Sequence, residues 1–392
     1  MKLNLHINNL PEREEEIEIV ERKGLGHPDT ICDLVVDHLS IRLSQIYKKE
    51  FGEIPHYNID KAFLAAGITK NKFGGGKVVK PMLFVIGDRA TDQVGRKKIP
   101  LAKIINNEIY SFLKSNYRFI NKKNFIIQNE IKPGSTSLQD IFKRKSTFLP
   151  ANDTSALVGF APSTKLERLV FAVEKFINSS SFKSKHPEAG EDVKVMGQKQ
   201  GKNFTLTIAI AFVDRYILSV EDYFKKKEQV RKAIEDLIKK TFHLKAKILV
   251  NALDDKKRGM DGCYLTVLGT SADSGDSGEV GRGNRCNGLI PLNRPAGSEA
   301  GAGKNSVSHV GKIYNLLSFK IADDIYKKTN KKNIVWLTSQ IGRPVNQPSL
   351  VSVEIQNIND SDKDKIKKIV EDNFSQLNSF LNDLFLGKYK TV

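Results

Sequence analysis

The stretch Phe204-Thr205-Leu206-Thr207-Ile208-Ala209-Ile210-Ala211-Phe212-Val213 places apolar side chains at 204, 206, 208, 210 and 212. A period of two marks a strand with one well-buried face. A helix follows at once, with apolar positions at 220, 223, 224, 230, 234, 237, 238 and 242. Working outward, helical spacing recurs over 34–46, 101–112, 166–176 and 313–326, and from 360 onward. Short buried strands read at 61–68, 82–86, 247–252, 263–268, 334–337 and 350–355. The three glycines of Asn71-Lys72-Phe73-Gly74-Gly75-Gly76-Lys77 mark a mobile loop or hairpin, and 179–191 reads as a polar loop. Strand and helix are mixed without regular βαβ alternation. That order predicts an α+β protein, its sheets covered by helices on one face.

The 392 residues allow two or three domains, and the 40% hydrophobic content supports substantial cores. No run is long and apolar enough to span a membrane, and the N-terminus lacks the apolar core of a signal peptide. Cys32, Cys263 and Cys286 are too few and too scattered for a disulfide framework or a CxxC metal site. A reduced, cytoplasmic chain is the expectation. The net charge of +18 suits an anionic ligand. Its lysine runs, such as Lys225 to Lys227, lie within amphipathic helices and read as solvated faces. There is no nucleic-acid-binding motif, and the aromatics do not interleave with a basic stripe, so nucleic acid is not an expected partner.

Five segments could carry chemistry. In Glu21-Arg22-Lys23-Gly24-Leu25-Gly26-His27-Pro28-Asp29-Thr30-Ile31-Cys32-Asp33, Pro28 suits a helix start, so His27 and Asp29 project from a helix N-terminus, where backbone N–H groups favour an anion. A plain helix cap is the other reading. Lys132-Pro133-Gly134-Ser135-Thr136-Ser137-Leu138 is a hydroxyl-rich turn that could wrap a phosphate or be an ordinary turn; it is not a Walker loop. Asp153 lies in an acidic turn, a site residue or an N-cap. Lys194 precedes a predicted strand and could equally be a surface lysine. The run 269–311, almost devoid of periodicity, joins Asp273, Asp276 and Glu279 to Arg282 and Arg285 through glycines, and continues to Glu299, Lys304 and His309. Carboxylates can hold Mg²⁺ while Arg and Lys take phosphate oxygens. A loop of that length is read as functional, directed at a polyphosphate and a metal.

In this order the segments GHPDTICD (26–33), NKFGGGKV (71–78), GEDVKVMG (190–197), GDSGEVGRGNRCNGLI (275–290), AGKNSVSHVGKIYN (302–315) and SQIGRPVNQP (339–348) resemble the archaeal-type S-adenosylmethionine synthetases, over nearly the whole chain. The resemblance implies three similar sheet-plus-helix domains around a pseudo-threefold axis, at about 1–148, 149–270 and 271–392, with interleaved segments. It implies a homodimer with active sites at the subunit interface. The reaction would be attack of methionine sulfur on C5′ of ATP, followed by hydrolysis of the released triphosphate to phosphate and diphosphate. Mg²⁺ is implied as cofactor, and K⁺ with it.

Carried over by position, His27 would contact the leaving oxygen or adjacent phosphate, beside Pro28, and Asp29 would ligate Mg²⁺. Lys194 and Arg282 would grip the triphosphate, and Lys304 would lie on the phosphates or the ribose. Asp153 and Asp276 would serve adenosine or the methionine amine. Gly134, Ser135, Thr136, Ser137 and Leu138 match the nucleotide-binding stretch, and Phe73 to Lys77 a gate. Where the bacterial and eukaryotic branch has a lysine after the arginine, this chain has Gly283, and Arg285 could replace that charge. The second metal-binding carboxylate has no direct match; Glu299 is the nearest acidic candidate, and His309 a weaker polar one. Asn305-Ser306 replaces the expected Asn-Pro.

Overall fold

The computed structural model describes residues 3–12, 15–135, 139–140, 142 and 147–392. Asn203–Val213 runs inside a mixed sheet, in the order Lys247–Val250, Asn203–Val213, Ala189–Gln200, Ile17–Lys23, Ile290–Pro291. The period-two reading holds: Leu206, Ile208, Ile210 and Phe212 are all fully buried, against the helices Lys165–Ile177 and Val220–Phe242. The first of these helices opens with a Thr164/Glu167 capping box. The second is capped by Ser219 and stops where His243 turns left-handed.

Two strands of this sheet escape the hydrophobic pattern. Ile17–Lys23 buries Glu18, Val20 and Arg22 on its inward face, so two of three core positions are charged. Arg22 is neutralised there by Glu174 at 2.5 Å. Ala189–Gln200 carries the buried pair Glu191 and Asp192 near its start, and its first three residues fall in the segment read as a polar loop.

A second sheet has the order Gly278–Glu279, Tyr57–Ala65, Met82–Ala90, Phe125–Asn129. It is covered on one face by Pro28–Phe51 and Leu101–Asn116, which share one core with it. The first helix starts six residues before the stretch read as periodic: His27 supplies the cap, Pro28 the first position, and Ile31 and Cys32 already belong to the buried core. A third sheet joins Leu5–Leu10, in parallel, to Leu350–Gln356, then to Asn333–Thr338 and Ala156–Ala161. Val310–Thr329, Asp360–Ser375 and Leu377–Phe385 pack on it, so the helix predicted from 360 is two helices meeting at Gln376.

Before the helix that begins at Val310, the run 269–311 holds only two-residue strands and one short 3₁₀ turn. It stitches sheets together: Gly278–Glu279 pairs with Tyr57–Ala65, and Ile290–Pro291 with Ile17–Lys23. The glycine hairpin between Ile68–Lys70 and Lys77–Lys80 is tethered, since Gly76 N–H donates to Asp214 at 2.8 Å and Gly74 N–H to the Ile217 carbonyl at 2.8 Å.

Candidate active site

His27 occupies the N-cap of Pro28–Phe51, its Nδ1 accepting from the Asp29 N–H at 3.3 Å. That bond leaves the proton on Nε2 of the neutral ring. Burial pushes the imidazole below its ordinary value, against the pull of Asp192 and Asp29. An uncharged donor therefore stands at the positive end of a helix dipole, a place suited to an anion. The cap and the site are compatible readings of one residue. Pro28 is covered by Gly278, where a Cβ would lie 2.2 Å from the Pro28 carbonyl carbon.

Asp29 is held from two sides. Its Oδ2 takes Lys23 Nζ at 2.8 Å and its Oδ1 the Glu279 N–H at 2.9 Å. Lys23 Nζ also donates to the Arg282 carbonyl at 2.8 Å. Asn284 brackets the Lys23 backbone, accepting from its N–H at 2.9 Å and donating to its carbonyl at 2.7 Å. One turn beyond Asp29, Asp33 accepts the Gly281 N–H at 2.8 Å. A Cβ on Gly283 would approach Asp33 Oδ2 to 2.4 Å, which is a reason for glycine rather than lysine at that position. The backbone on both sides of Arg282 is thus fixed, while its side chain is exposed and has no partner among the described residues.

Lys194 lies within Ala189–Gln200 rather than ahead of a strand, because the buried acids preceding it belong to the strand too. It stands in register opposite Lys23, and its nearest carboxylate is Glu21 at 3.5 Å. Asp192 accepts from both Ser271 N–H and Oγ, at 2.8 and 2.6 Å, while burial raises its carboxyl. Asp276 is exposed, and its charge reaches His27 and Asp192. His27, Asp29, Lys194, Asp276 and Arg282 therefore belong to one neighbourhood.

A second cluster lines a cavity of about 840 Å³, including Asp60, Asp153, Glu279, Glu299, Lys304 and His309. Lys304 is buried, its Nζ against the Glu299 carboxylate and 3.5 Å from Asp60. Burial opposes charge on Asp60, yet Lys61 at 2.6 Å and Lys304 hold its carboxyl below the usual range. Burial, reinforced by Lys304, pushes His309 down to about 3, so it too is neutral. Asp153 sits at the exposed rim. Its neighbour Asn152 reaches the start of Val310–Thr329, whose N-cap is His309, and accepts the Val310 N–H through Oδ1 at 3.0 Å. Glu279 joins the clusters, touching Asp29 through its backbone and lining the cavity.

Arg285 borders both clusters, lining a junction of about 20 Å³ with Asp33, Asn284 and Glu299. It also lines a pocket of about 140 Å³ with Phe160, Arg294 and Phe319, which Glu299 reaches as well. Gly134 packs on His56, which borders a cavity of about 110 Å³ sharing Asn58, Asn152 and His309 with the larger one. Ser135 follows Gly134, its carbonyl taking the Gln139 N–H at 3.0 Å. Thr136, Ser137 and Leu138 lie outside the described residues.

The sequence reading passed over Lys23, Asp33, Asp60 and Asp192. Asp29, Asp33 and Asp37 at four-residue spacing on a buried helix face were the available signal for Asp33. Lys23 and Asp192 sit on the two strands whose polar cores hid them.

Among the described residues no three His, Cys, Asp or Glu side chains form a metal cluster. Mg²⁺ on nucleotides characteristically uses one or two carboxylates and draws its other ligands from phosphates and water. Asp29 fits that pattern, since each of its oxygens accepts one hydrogen bond and keeps a lone pair, next to cations that would attract phosphate.

The family model for S-adenosylmethionine synthetase matches residues 4–388. A protein described as a probable S-adenosylmethionine synthase from Aquifex aeolicus is 43% identical, over 94% of this chain and 93% of its own length. The S-adenosylmethionine synthase of Pyrobaculum calidifontis is 45% identical over 89% of each chain. A solved structure of an S-adenosylmethionine synthetase from Campylobacter jejuni shares the fold, with a TM-score of 0.61 at 18% identity, covering 94% of this chain and 88% of that one. This chain belongs to the S-adenosylmethionine synthetase family.

Proposed function

We propose that the protein makes S-adenosylmethionine from ATP and L-methionine by attack of the thioether sulfur on C5′, then hydrolyses the triphosphate to phosphate and diphosphate. The observation that carries this reading is the meeting of Lys23, Lys194 and the Arg282 loop at the helix start bearing His27 and Asp29. A thioether sulfur has no proton to lose, so the site needs no general base. It must instead align sulfur, C5′ and leaving oxygen, a task worth roughly 7–11 kcal/mol. Donors fixed in advance on the departing triphosphate add a few kcal/mol each.

In this reading the neutral His27 donates from Nε2 to the leaving oxygen. Arg282, Lys194 and Lys23 take the charge that grows on the triphosphate. Asp29 would hold Mg²⁺, which when bound neutralises part of the triphosphate charge. Lys304, kept in place by Asp60 and Glu299, meets the nucleotide from the cavity side, with Asp153 at the methionine or adenosine end. K⁺, the three-domain pseudo-threefold arrangement with boundaries near 148 and 270, and a cytoplasmic location belong to the same proposal. Among the described residues no helix is long and apolar enough to cross a membrane.

A homodimer with its sites at the subunit interface is supported by the uncovered face of the second sheet. Phe63 and Ile126 on that face are 45% and 47% exposed, and Lys61, Phe63 and Val85 line the 840 Å³ cavity. A second copy laid there would close the cavity. Co-expression of Arg282→Ala and Lys304→Ala chains tests the arrangement. If each site takes these residues from different chains, mixed dimers hold one intact site, and about a quarter of wild-type activity returns. No recovery would place both residues in one chain's site.

A further inference from the structure

Three arginines lie on or against the run 285–297, and the fold neutralises two of them. Arg22, whose Nη1 donates to the Gly288 carbonyl, pairs with Glu174 at 2.5 Å and lies 4.5 Å from the centre of the Phe171 ring. Arg294 donates to both oxygens of Glu167, at 2.9 and 3.2 Å, and to the Pro162 carbonyl at 2.8 Å. Its guanidinium stands 4.6 Å from the centre of the Phe160 ring. Arg285 differs. It is half-buried, and its side chain has no ion pair or hydrogen bond among the described residues.

Arg285 lines the pocket of about 140 Å³ that lies between Ala156–Ala161, Val310–Thr329 and Ile290–Pro291. Val158, Phe160, Ile290 and Phe319 give it apolar walls, and the Phe160 and Phe319 rings meet edge-on with centroids 5.1 Å apart. Arg294 also lines it but is held by Glu167. The carboxylate at its edge, Glu299, is engaged elsewhere: Oε2 takes Lys304 Nζ, and Oε1 accepts Ser155 Oγ at 3.1 Å. Glu299 is also the one described residue that this pocket shares with the 840 Å³ cavity.

A cation kept among apolar side chains without a counter-charge is costly, and an anion in the pocket removes that cost. The planar guanidinium matches a carboxylate through two parallel hydrogen bonds. A phosphate dianion would call for further free donors, and Arg294 is already committed. The volume equals that of roughly five waters, enough for a branched or single-ring tail and too small for a nucleotide.

We propose that this pocket binds a small carboxylate with an apolar tail, the carboxylate on Arg285 and the tail against Phe160 and Phe319. The site stands apart from the proposed reaction and does not depend on it. It touches the nucleotide cavity only through Glu299.

The test is calorimetric titration of the full-length protein with isovalerate and with phenylacetate, each compared with its own amide, which keeps the shape and removes the charge. At least one carboxylate is expected to bind, about tenfold or more tighter than its amide, and to stay bound when tripolyphosphate is added. In Arg285→Met that preference is expected to vanish, with the melting temperature unchanged or raised, because the guanidinium has no partner to lose. Binding of neither carboxylate, equal binding of acid and amide, or a preference that survives in Arg285→Met would overturn the proposal. Displacement by tripolyphosphate would overturn it too, by placing the carboxylate on the phosphate-binding cations. The wild-type comparison decides the matter even if the variant does not fold.

Discussion

Lys194 and Lys23 stand directly opposite each other across two antiparallel strands, one salt-bridged to Glu21 at 3.5 Å and the other to Asp29 at 2.8 Å. Like charges in that relation destabilise a sheet by about 0.2–1 kcal/mol. Glu21 and Asp29 offset that repulsion in the free protein, and on the proposed reading a bound polyanion would draw on both lysines at once.

Lys23→Met removes one side of the pair and frees Asp29 and the Arg282 carbonyl together. We expect kcat to fall roughly a hundredfold, because an oriented charge and its support are lost at once. The melting temperature should fall as well, because the buried Asp29 loses its ion-pair partner, so the kinetics are read below the variant's own transition. Steady-state kinetics with near-normal turnover would remove Lys23 from the site.

Arg282→Ala should lower kcat by about tenfold or more in a folded protein, since the side chain has no structural partner to lose among the described residues. Circular dichroism and a melting curve check the fold. Normal kcat would leave the exposed arginine without a role.

Asp29→Asn should raise the Mg²⁺ concentration needed for half-maximal rate, because a neutral amide is a poorer ligand for a hard cation. An unchanged metal titration would reduce Asp29 to a clamp for Lys23 and Glu279.

Burial raises the Asp33 carboxyl to about 7, with Asp29 and Asp37 adding to the rise and the Gly281 N–H opposing it. Its folded value lies above the unfolded one, so its contribution to stability is full below about 4 and is lost as pH rises through 7. Asp33→Asn cannot ionise and escapes that loss. Its melting temperature should therefore gain on wild type between pH 5 and pH 8; a constant difference would mean Asp33 does not titrate in this window.

Asn152→Ala removes the acceptor for the Val310 N–H at the start of Val310–Thr329 and should cost about 1 kcal/mol in denaturant unfolding. Asp153→Ala, beside it, should leave stability unchanged and lower activity. The reverse pattern would exchange their roles.

The fold was legible where core positions are apolar. Asn203–Val213 and Val220–Phe242 were read to within a residue, because Leu206, Ile208, Ile210 and the helix face face one core. Ile17–Lys23 was not, since its inward positions are paid for by the Arg22–Glu174 ion pair rather than by hydrophobicity. The site followed the same rule. His27, Asp29 and Arg282 stand in glycine-rich contexts that announce an anion. Lys23 looks like any lysine until the register puts it opposite Lys194. Asp60 becomes a site residue only when a loop from more than two hundred residues away brings Lys304 beside it. Arg285, read as a replacement for the charge missing at Gly283, lines two small pockets that Glu299 also reaches, one of them with Asp33 and Asn284, and Asp33 beneath Gly283 leaves no room for a side chain there.

The most direct test of the account is incubation of the purified protein with ATP, Mg²⁺, K⁺ and methionine, with products followed by mass spectrometry. The account predicts S-adenosylmethionine with phosphate and diphosphate, all absent when methionine is withheld. Consumption of ATP without a sulfonium product, or no reaction at all, would contradict it.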